Sequence, residues 1–339
     1  MLQIDGSRGE GGGQILRSSL TLSMVTGTPV RISNIRARRA RPGLMRQHLT
    51  AVQAAARISK ARVEGAAVGA MELTFEPGAV VPGEYHFPVG TAGSTTLILQ
   101  TVLPALLLAA APSRLTLEGG THNPLAPPFE FLDRAFLPLI RRMGPRVEAT
   151  LERAGFYPAG GGRLSVAIAP TERLSGLELL DRGEIRSRRG AALLANLPDH
   201  IAEREVQQLV RQTGWDPGCF EVRRVDSAGP GNAVVLELAS EAVTEVFTAF
   251  GAVGVAAEAV ADQAVREMRR YLAAGVPVGE HLADQLLLPL ALAGSGAYRT
   301  LPLSLHASTQ IELIQLFLDV RIIAEPEEDG RLCKVRIES

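Results

Sequence analysis

Residues 2–27 read LQIDGSRGEGGGQILRSSLTLSMVTG, a stretch that places a strand, a glycine-rich loop and a helix in immediate succession. The run Leu2–Asp5 predicts the strand, and apolar residues at helical spacing from Ile15 to Met24 predict a helix that stops at Gly27. Strand and helix patterns of this kind continue to about residue 180. This rhythm is typical of repeated α/β units and argues against one doubly wound sheet.

The pattern changes after about residue 180. A strand (Arg186–Ala195) and an amphipathic helix (Ile201–Thr213) are followed by two more strands, and a long helix (Ala256–Ala273) ends before Gly275. We therefore predict an α/β fold in which residues 1–180 and 276–339 form a main domain of repeated α/β units. Residues 181–275 are predicted to form a smaller inserted α/β domain.

The composition is that of an ordinary globular protein, since 46% of the 339 residues are hydrophobic and 21% are charged. Aromatic residues make up only 4%, which argues against a surface that binds single strands mainly by stacking bases. Cys219 and Cys333 lie far apart, so neither a disulfide framework nor a cysteine zinc site is expected. The N-terminus does not resemble a signal peptide, and Leu97–Ala111 is short of the roughly 20 apolar residues of a membrane span. We therefore predict a cytoplasmic protein without membrane contact.

Positive charge is concentrated in one segment, although the net charge of the chain is only −1. Residues 11–63 contain no Asp or Glu. The basic side chains of this segment are Arg17, Arg31, Arg36, Arg38, Arg39, Arg41, Arg46, Arg57, Lys60 and Arg62. A segment of one charge sign in a near-neutral protein indicates a phosphate-binding surface, and the alternative is a solvated basic face.

The glycine-rich loop Gly9–Gln14 lies between the first strand and the first helix. Glycines there let backbone N–H groups approach an anion at the start of a helix. Glu10 does not fit a plain anion site, because its carboxylate would repel a phosphate unless a cation lay between them. Glu10 is therefore a candidate ligand for Mg²⁺ or Mn²⁺, and the alternative is a solvent-facing carboxylate stabilised by the helix dipole.

Lysine is a poor candidate for covalent nucleotide transfer in this chain. The glycine-rich loop is not followed by the Gly-Lys-Ser/Thr of a Walker loop, and neither Lys60 nor Lys334 begins a Lys-x-Asp-Gly element. If the protein transfers a nucleotide covalently, a histidine is therefore the plausible nitrogen nucleophile. No two of the six histidines have metal-ligand spacing. His306 is predicted to close a strand-like run, Leu303–Leu305, before a helix whose capping box is Thr309–Glu312. There it can meet a phosphate, or it is a structural histidine with satisfied hydrogen bonds.

Two further segments are candidates for contacts with a ligand. The polar segment Gly279–Gln285 opens an apolar helix, and its Asp284 and Gln285 either contact a ribose or base or cap the helix. The Pro127-Pro128 pair forms a rigid corner that either packs on a flat ring or simply makes a turn.

Taken in order, several motifs of the chain resemble those of RNA 3′-terminal phosphate cyclases. They are Gly9–Ser18 (GEGGGQILRS), Ile35–Leu44 (IRARRARPGL), Arg46–Thr50 (RQHLT), Gly93–Pro104 (GSTTLILQTVLP), Gly119–Pro124 (GGTHNP), Gly155–Gly162 (GFYPAGGG), Gly229–Asn232 (GPGN), Leu282–Gln285 (LADQ) and the region of His306. Because these motifs span nearly the whole chain, the resemblance is specific.

The resemblance implies a fold and a reaction. The fold is a main domain of units with two helices on a four-stranded sheet, similar to the C-terminal domain of bacterial translation initiation factor three, with a smaller α/β insertion. In the implied reaction His306 attacks the α-phosphate of ATP and forms a histidine–AMP adduct. AMP then passes to an RNA 3′-phosphate, and the neighbouring 2′-hydroxyl displaces it to give a 2′,3′-cyclic phosphate. A divalent ion, Mg²⁺ or Mn²⁺, is implied as well.

The resemblance also assigns residues to these roles. It makes His306 the nucleophile and Glu10 the metal contact. RNA phosphate contacts fall on Arg17, Arg36, Arg39, Gln47 and His48. ATP contacts fall on Gln100, Pro127, His281, Leu282, Ala283, Asp284 and Gln285. His281 stands where a Tyr that packs on adenine is expected, and Leu305 stands where some members have a Cys, so no intermolecular disulfide is expected there. A homodimer is left open.

Three other functions are compatible with parts of this pattern. A non-catalytic, RNA-binding ribosome-assembly factor of the same fold is the nearest, but the combination of His306, Glu10 and Arg39 argues against it. An enolpyruvyl transferase has similar repeats but is expected to use lysines in its phosphate site, and the chain has only two. A pure RNA-binding module would consume no ATP.

Overall fold

The computed structural model describes all 339 residues. The predicted N-terminal strand, loop and helix are present and form the first part of a unit of six strands and helices. The elements of this unit are β1 (Leu2–Asp5), α1 (Gly13–Thr26), β2 (Val30–Ser33), α2 (Arg46–Ser59), β3 (Arg62–Glu64) and β4 (Leu73–Glu76). Helix α1 ends where Gly27 takes a left-handed conformation, as the sequence predicts. The sheet has the order β1-β2-β4-β3, with β1 and β2 parallel and the other pairs antiparallel.

A second unit repeats this arrangement. Its elements are β5 (Glu84–Pro88), α3 (Thr95–Leu107), β6 (Ser113–Gly119), α4 (Phe129–Phe131), a π-helical segment (Leu132–Phe136), α5 (Leu137–Arg142), β7 (Arg146–Arg153) and β8 (Gly162–Ala169). The strand order β5-β6-β8-β7 has the same parallel and antiparallel pairings as the first sheet. The segments α4 to α5 together take the place of α2.

A third unit starts at β9 (Glu178–Leu179) and is interrupted at once by a different α/β arrangement. The interrupting elements are β10 (Ile185–Ala195), α6 (Asp199–Thr213), a 3₁₀ turn (Pro217–Cys219), β11 (Phe220–Arg224), β12 (Gly231–Ser240), β13 (Thr244–Phe250) and α7 (Ala257–Ala274). Their strands form a separate sheet with the order β11-β10-β12-β13.

The third unit then resumes. Its remaining elements are α8 (Glu280–Ala293), β14 (Ser295–Thr300), α9 (Leu305–Phe317), β15 (Arg321–Glu327) and β16 (Leu332–Glu338). Strand β9 pairs in parallel with β14, so this sheet has the order β9-β14-β16-β15 and repeats the topology of the first two. The predicted α/β fold of repeated units is confirmed. The domain limits at residues 181 and 275 stay a prediction.

Apolar packing joins these parts. One cluster of 69 buried residues runs through all three units, and a separate cluster of 15 lies mainly between the interrupting sheet and its helices. Alternate residues of β12 face the two clusters, since Val235 belongs to the large cluster and both Val234 and Leu236 belong to the small one. Strand β12 is thus buried on both faces. No helix of the protein has both the length and the apolar character needed to cross a bilayer.

A buried carboxyl group connects the interrupting sheet to α8. Glu245 of β13 is 3% exposed, and its Oε1 accepts a hydrogen bond from the backbone N–H of Gly279, the residue before α8, at 2.6 Å. Burial raises the pKa of Glu245 to about 8, against the effect of the backbone N–H groups of Gly279 and Val246. The folded protein therefore binds this proton more tightly than the unfolded chain does.

Glu245 is expected to make the stability of the protein depend on pH. Its contribution is fully present below about pH 4.5, the ordinary pKa of a Glu, and is lost as the pH rises to about 8. The free energy of unfolding should fall in this window by up to about 1.4 kcal/mol per pH unit. In urea titrations across the window, Glu245→Gln should lack this contribution. A variant of the exposed Glu84 on β5, Glu84→Gln, should keep it, and an unchanged slope in Glu245→Gln would contradict the assignment.

Candidate active site

A cleft of about 640 Å³ lies where the three units meet. Helices α1, α3 and α8, which are the first helices of the three units, each supply part of its wall, and the N-terminal turns of α2 and α9 supply more. Strand β13 and helix α7 of the interrupting segment close the remaining side. The cleft therefore belongs to no single unit.

The N-terminus of α1 faces this cleft. The residue before the helix, Gly12, provides no side-chain cap, so the first N–H groups of α1 are left for another partner. A Cβ atom at Gly12 would overlap the carboxylate of Glu10, and one at Gly13 would overlap Nε2 of His48 and Nη1 of Arg17. The glycines are thus required for the close approach of these three polar side chains to the start of α1.

His306 lies in the first turn of α9, so the prediction that it closes a strand was wrong. The helix begins at Leu305, and the side chain of Ser304 caps it by accepting a hydrogen bond from the N–H of Ala307 at 3.1 Å. The predicted capping box at Thr309 was also wrong. The hydroxyl of Thr309 instead donates to the carbonyl of Leu305 at 2.7 Å and accepts from the N–H of Glu10 at 3.1 Å. This contact joins the glycine-rich loop to α9.

The imidazole of His306 is held between α1 and the glycine-rich loop. Its Nδ1 is hydrogen-bonded to Oε1 of Gln14 at 2.8 Å, and Nε2 of Gln14 donates to Oδ1 of Asp284 at 2.7 Å. Its Nε2 lies 3.9 Å from Oε1 of Glu10. Burial lowers the pKa of His306, with Arg17 and Arg39 acting in the same direction and Asp284 opposing them. The ring is therefore uncharged at neutral pH.

Glu10 has one carboxylate oxygen in use and one that is free. Its carboxylate pairs with Arg39, whose guanidinium also donates to the backbone carbonyl of Glu10 at 3.2 Å. Its Oε2 is buried and has no hydrogen-bond partner. No group of three or more His, Cys, Asp or Glu side chains is placed to hold a metal ion by itself. The unpartnered Oε2 of Glu10 would fit a divalent ion that takes its other ligands from outside the protein.

Two of the predicted phosphate-binding residues, Arg17 and His48, meet at the start of α1 and differ in charge. Burial lowers the pKa of Arg17 to about 10, so Arg17 is still a cation at neutral pH. Burial, with Arg17 and Arg36 nearby, lowers the pKa of His48 to about 3, so His48 is a neutral hydrogen-bonding group. Nη1 of Arg36 donates to the carbonyls of Arg41 and Gly43 at 2.6 and 3.0 Å. These two hydrogen bonds stabilise the loop that contains Arg36.

Gln47 and Gln100 hold parts of the cleft together. Oε1 of Gln47 accepts from the N–H of Ser94 at 2.8 Å, at the start of α3. Nε2 of Gln100 donates to Oε1 of Gln285, which connects α3 to α8. In each of these two side chains one amide atom is hydrogen-bonded within the protein, and the rest of the side chain faces the cleft.

The residues predicted to contact ATP are only partly brought together. Gln100, Pro127, His281, Asp284 and Gln285 all line the cleft, and His281 is exposed. Leu282 and Ala283, at 0% and 2% exposure, lie on the core side of α8 and do not line it. Side-chain contacts of these two residues with a nucleotide stay a prediction that the geometry does not favour.

Sequence reasoning missed other residues of the cleft. Gln14 has the most specific contacts of these, and β13 and α7 add Val246, Thr248, Phe250, Gln263 and Glu267. The resemblance motif around Gly9–Ser18 includes Gln14 but gives no sign of its partners. Nothing in the sequence of residues 244–267 indicates that they face the cleft.

Comparisons with known proteins identify relatives over almost the whole chain. A family model described as RNA 3′-terminal phosphate cyclase matches residues 8–324. A protein of Koribacter versatilis with this name is 55% identical over 330 residues, which is 97% of this chain and 93% of the relative. Proteins of the same name from Ectopseudomonas mendocina and Ralstonia nicotianae are 52% and 51% identical over 99% of this chain and 98% and 97% of their own lengths.

Proposed function

Because this chain belongs to the RNA 3′-terminal phosphate cyclase family, we propose that it uses ATP to convert the 3′-phosphate end of an RNA into a 2′,3′-cyclic phosphate. We propose that the reaction proceeds through a covalent adduct of AMP with His306. The observation that carries this proposal is the placement of His306, whose Nδ1 is bonded to Gln14 of α1 and whose Nε2 faces the glycine-rich loop, 3.9 Å from Oε1 of Glu10.

In the first proposed step, Nε2 of His306 attacks the α-phosphorus of ATP. An N–P bond forms, the bond from the α-phosphorus to the bridging oxygen breaks, and pyrophosphate leaves. A neutral imidazole has the required lone pair, whereas an imidazolium does not. The low pKa of His306 therefore favours this step at neutral pH.

The surroundings of His306 suit the negative charge that this step develops. The uncapped N–H groups of α1 and the cation of Arg17 lie at one point of the cleft, next to the Nε2 of His48. Donors and cations fixed in advance stabilise a phosphoryl transition state without reorganising. Arg39 adds charge once it leaves Glu10. A divalent ion bound by Glu10 would offset the charge of the phosphates.

In the two later proposed steps, the RNA end replaces the histidine and then closes on itself. An oxygen of the RNA 3′-phosphate attacks the α-phosphorus of the adduct, and the P–N bond breaks to restore His306. The 2′-hydroxyl then attacks the 3′-phosphorus and gives its proton to solvent, the bond from that phosphorus to the bridging oxygen breaks, and AMP leaves. Adenylation is needed because an oxygen of a phosphate monoester is a poor leaving group, and the neighbouring 2′-hydroxyl is a strong nucleophile because it is held in place.

The site proposed here is complete within one chain. A homodimer is therefore not needed for the chemistry. We propose that residues 181–275 act as an inserted domain whose β13 and α7 close the cleft from one side. We place the reaction in the cytoplasm, where both ATP and RNA ends are available.

The proposal is tested by labelling the purified protein with [α-³²P]ATP and Mg²⁺ and separating it on a denaturing gel. We expect a labelled band that is acid-labile and alkali-stable, as a histidine phosphoramidate is. An RNA with a 3′-phosphate should discharge the label and become a cyclic phosphate, and the same RNA with a 3′-hydroxyl should not. ATP binding without a labelled band would reject the covalent mechanism and favour the RNA-binding assembly factor.

A further inference from the structure

We propose that Gln14 is a positioning residue that holds His306 in the tautomer with the proton on Nδ1 and so leaves the lone pair on Nε2. This inference rests on the proposed function, since it explains which ring nitrogen reacts. It is carried by three side chains in series, from Asp284 through Gln14 to His306.

The order of donors and acceptors along this series fixes the proton on His306. Asp284 accepts at both of its oxygens, because Nε2 of Gln14 donates to Oδ1 at 2.7 Å and Nε2 of Gln285 donates to Oδ2 at 3.4 Å. The amide of Gln14 must therefore turn its NH₂ group toward Asp284 and its oxygen toward His306. A carbonyl oxygen only accepts, so Nδ1 of His306 at 2.8 Å is the donor.

The segments that carry Gln14 and His306 are joined by further contacts, and Gln14 itself is buried. It is 7% exposed in the first turn of α1. A buried hydrogen bond of 2.6 Å from Oγ of Ser18 to Oε1 of Gln310 fixes α1 to α9 just beyond it. The contact between Glu10 and Thr309 fixes the same two segments on the other side. Gln14 and His306 thus keep a constant separation.

The amide of Gln14 separates the carboxylate of Asp284 from the imidazole of His306, and this affects the ionisation of the ring differently from direct contact between the two. A carboxylate touching an imidazole favours the imidazolium, which has no lone pair for the attack on phosphorus. The amide of Gln14 orients the imidazole through its hydrogen bond to Nδ1 without placing a full negative charge next to the ring. The charged and titratable groups around His306 are Glu10, Arg17, Arg39, His281 and Asp284. Orientation of a reactive imidazole by a hydrogen bond to its other nitrogen is a general feature of nucleophile–histidine sites.

The variant Gln14→Met tests this inference, because methionine has a similar length but accepts no strong hydrogen bond. We expect the rate of label uptake at saturating [α-³²P]ATP to fall about 10- to 100-fold with little change in KM, since the loss falls on the reacting nitrogen. A matched control is Gln53→Met on the exposed face of α2, outside the cleft, which should keep the wild-type rate.

A second readout needs no ATP. In protein labelled with ¹⁵N-histidine, the His306 signals are assigned by their loss in His306→Asn, and their shifts report which nitrogen carries the proton. We expect Nδ1 to be protonated in the wild-type protein, and a mixture of tautomers in Gln14→Met. Wild-type protein with the proton on Nε2, or the same tautomer in Gln14→Met as in the wild type, would overturn the inference.

The variant Gln14→Glu distinguishes the loss of the hydrogen bond to His306 from a loss of folding in Gln14→Met. Its carboxyl group is expected to share one proton with Asp284, so it donates to Asp284 and still accepts from Nδ1. The proton on Nδ1 should return, and this readout does not depend on the labelling rate, which a carboxyl group next to the ring can also lower. A folded Gln14→Glu protein with the same mixture of tautomers as Gln14→Met would overturn the inference. If the wild-type protein takes up no label, the proposed function fails while the tautomer measurement still tests Gln14.

Discussion

We expect a His306→Ala protein to lose at least about 10⁴-fold in both the rate of label uptake from [α-³²P]ATP and the rate of cyclic phosphate formation. Alanine removes the nitrogen that attacks the α-phosphorus, and the other histidine at the start of α1 cannot replace it. His48 has its Nδ1 occupied by the backbone N–H of Met45 at 3.2 Å and its Nε2 against Gly13. Labelling on a denaturing gel measures the first step separately from cyclisation.

Two further variants make this result specific. His306→Asn keeps a side-chain amide that can contact Gln14 but has no nucleophilic nitrogen, so it should be as inactive as the alanine variant. His86→Ala removes an exposed histidine on β5, away from the cleft, and should label at the wild-type rate. A labelled His306→Ala protein would show that another residue carries AMP and would reject the proposed nucleophile.

An Arg17→Met protein should label about 10²- to 10³-fold more slowly than the wild type, the second largest effect that we expect. Arg17 is partly buried and lies against Gly13, so its charge acts where the phosphates of ATP would meet the start of α1. Burial raises the pKa of Asp284, and the loss of Arg17 also removes one of the charges that oppose this effect. Single-turnover labelling at saturating ATP measures the effect.

The same measurement on a second variant distinguishes the effect of the charge of Arg17 from the effect of its packing. Arg17→Lys keeps the cation but loses the planar fork, and it should recover part of the rate. Arg62→Met, at an exposed position on β3 where Arg62 pairs with Glu64, should behave as the wild type does. A wild-type rate in Arg17→Met would place the phosphates elsewhere in the cleft.

The elements that depend on local sequence were predictable. The start and end of α1 follow from the glycines at positions 12 and 27, and α7 follows from a long amphipathic pattern ahead of Gly275. The repeated units followed from the rhythm of strands and helices, but their common strand order did not, because it depends on pairings between distant strands. Strand β9 has only two residues and exists only through its pairing with β14.

The prediction for His306 failed for a local reason. Leu303 and Leu305 flank Ser304 and give the alternation of a strand, whereas Ser304 acts as the cap of α9. The serine is a recognised start signal, but an apolar residue on each side of it concealed this role. Strand β13 was missed too, although its sequence TEVFTAF contains residues that favour strands.

The site could be predicted only as far as its motifs reach. The resemblance brought His306, Glu10 and Arg17 together, and the structure places all three on the wall of one cleft. The contacts of Gln14 span 270 and 292 residues of sequence, and no spacing within a motif reports them. The occupied oxygen of Gln47 and the loop contacts of Arg36 are equally invisible in the sequence, because they depend on backbone groups of other segments.

The interruption of the third unit sets the order in which a ribosome delivers the parts of this enzyme. Strand β9 leaves the ribosome early, but its partner β14 begins only at Ser295, after the whole interrupting sheet has been made. The first two units and that sheet therefore emerge before the third sheet is able to close. The proposed nucleophile and the sheet that supports it arrive together, in the last part of the chain. A nascent or truncated chain that stops ahead of Leu305 thus carries the arginines and Gln14 but lacks the proposed nucleophile, so we expect it not to begin the proposed covalent chemistry.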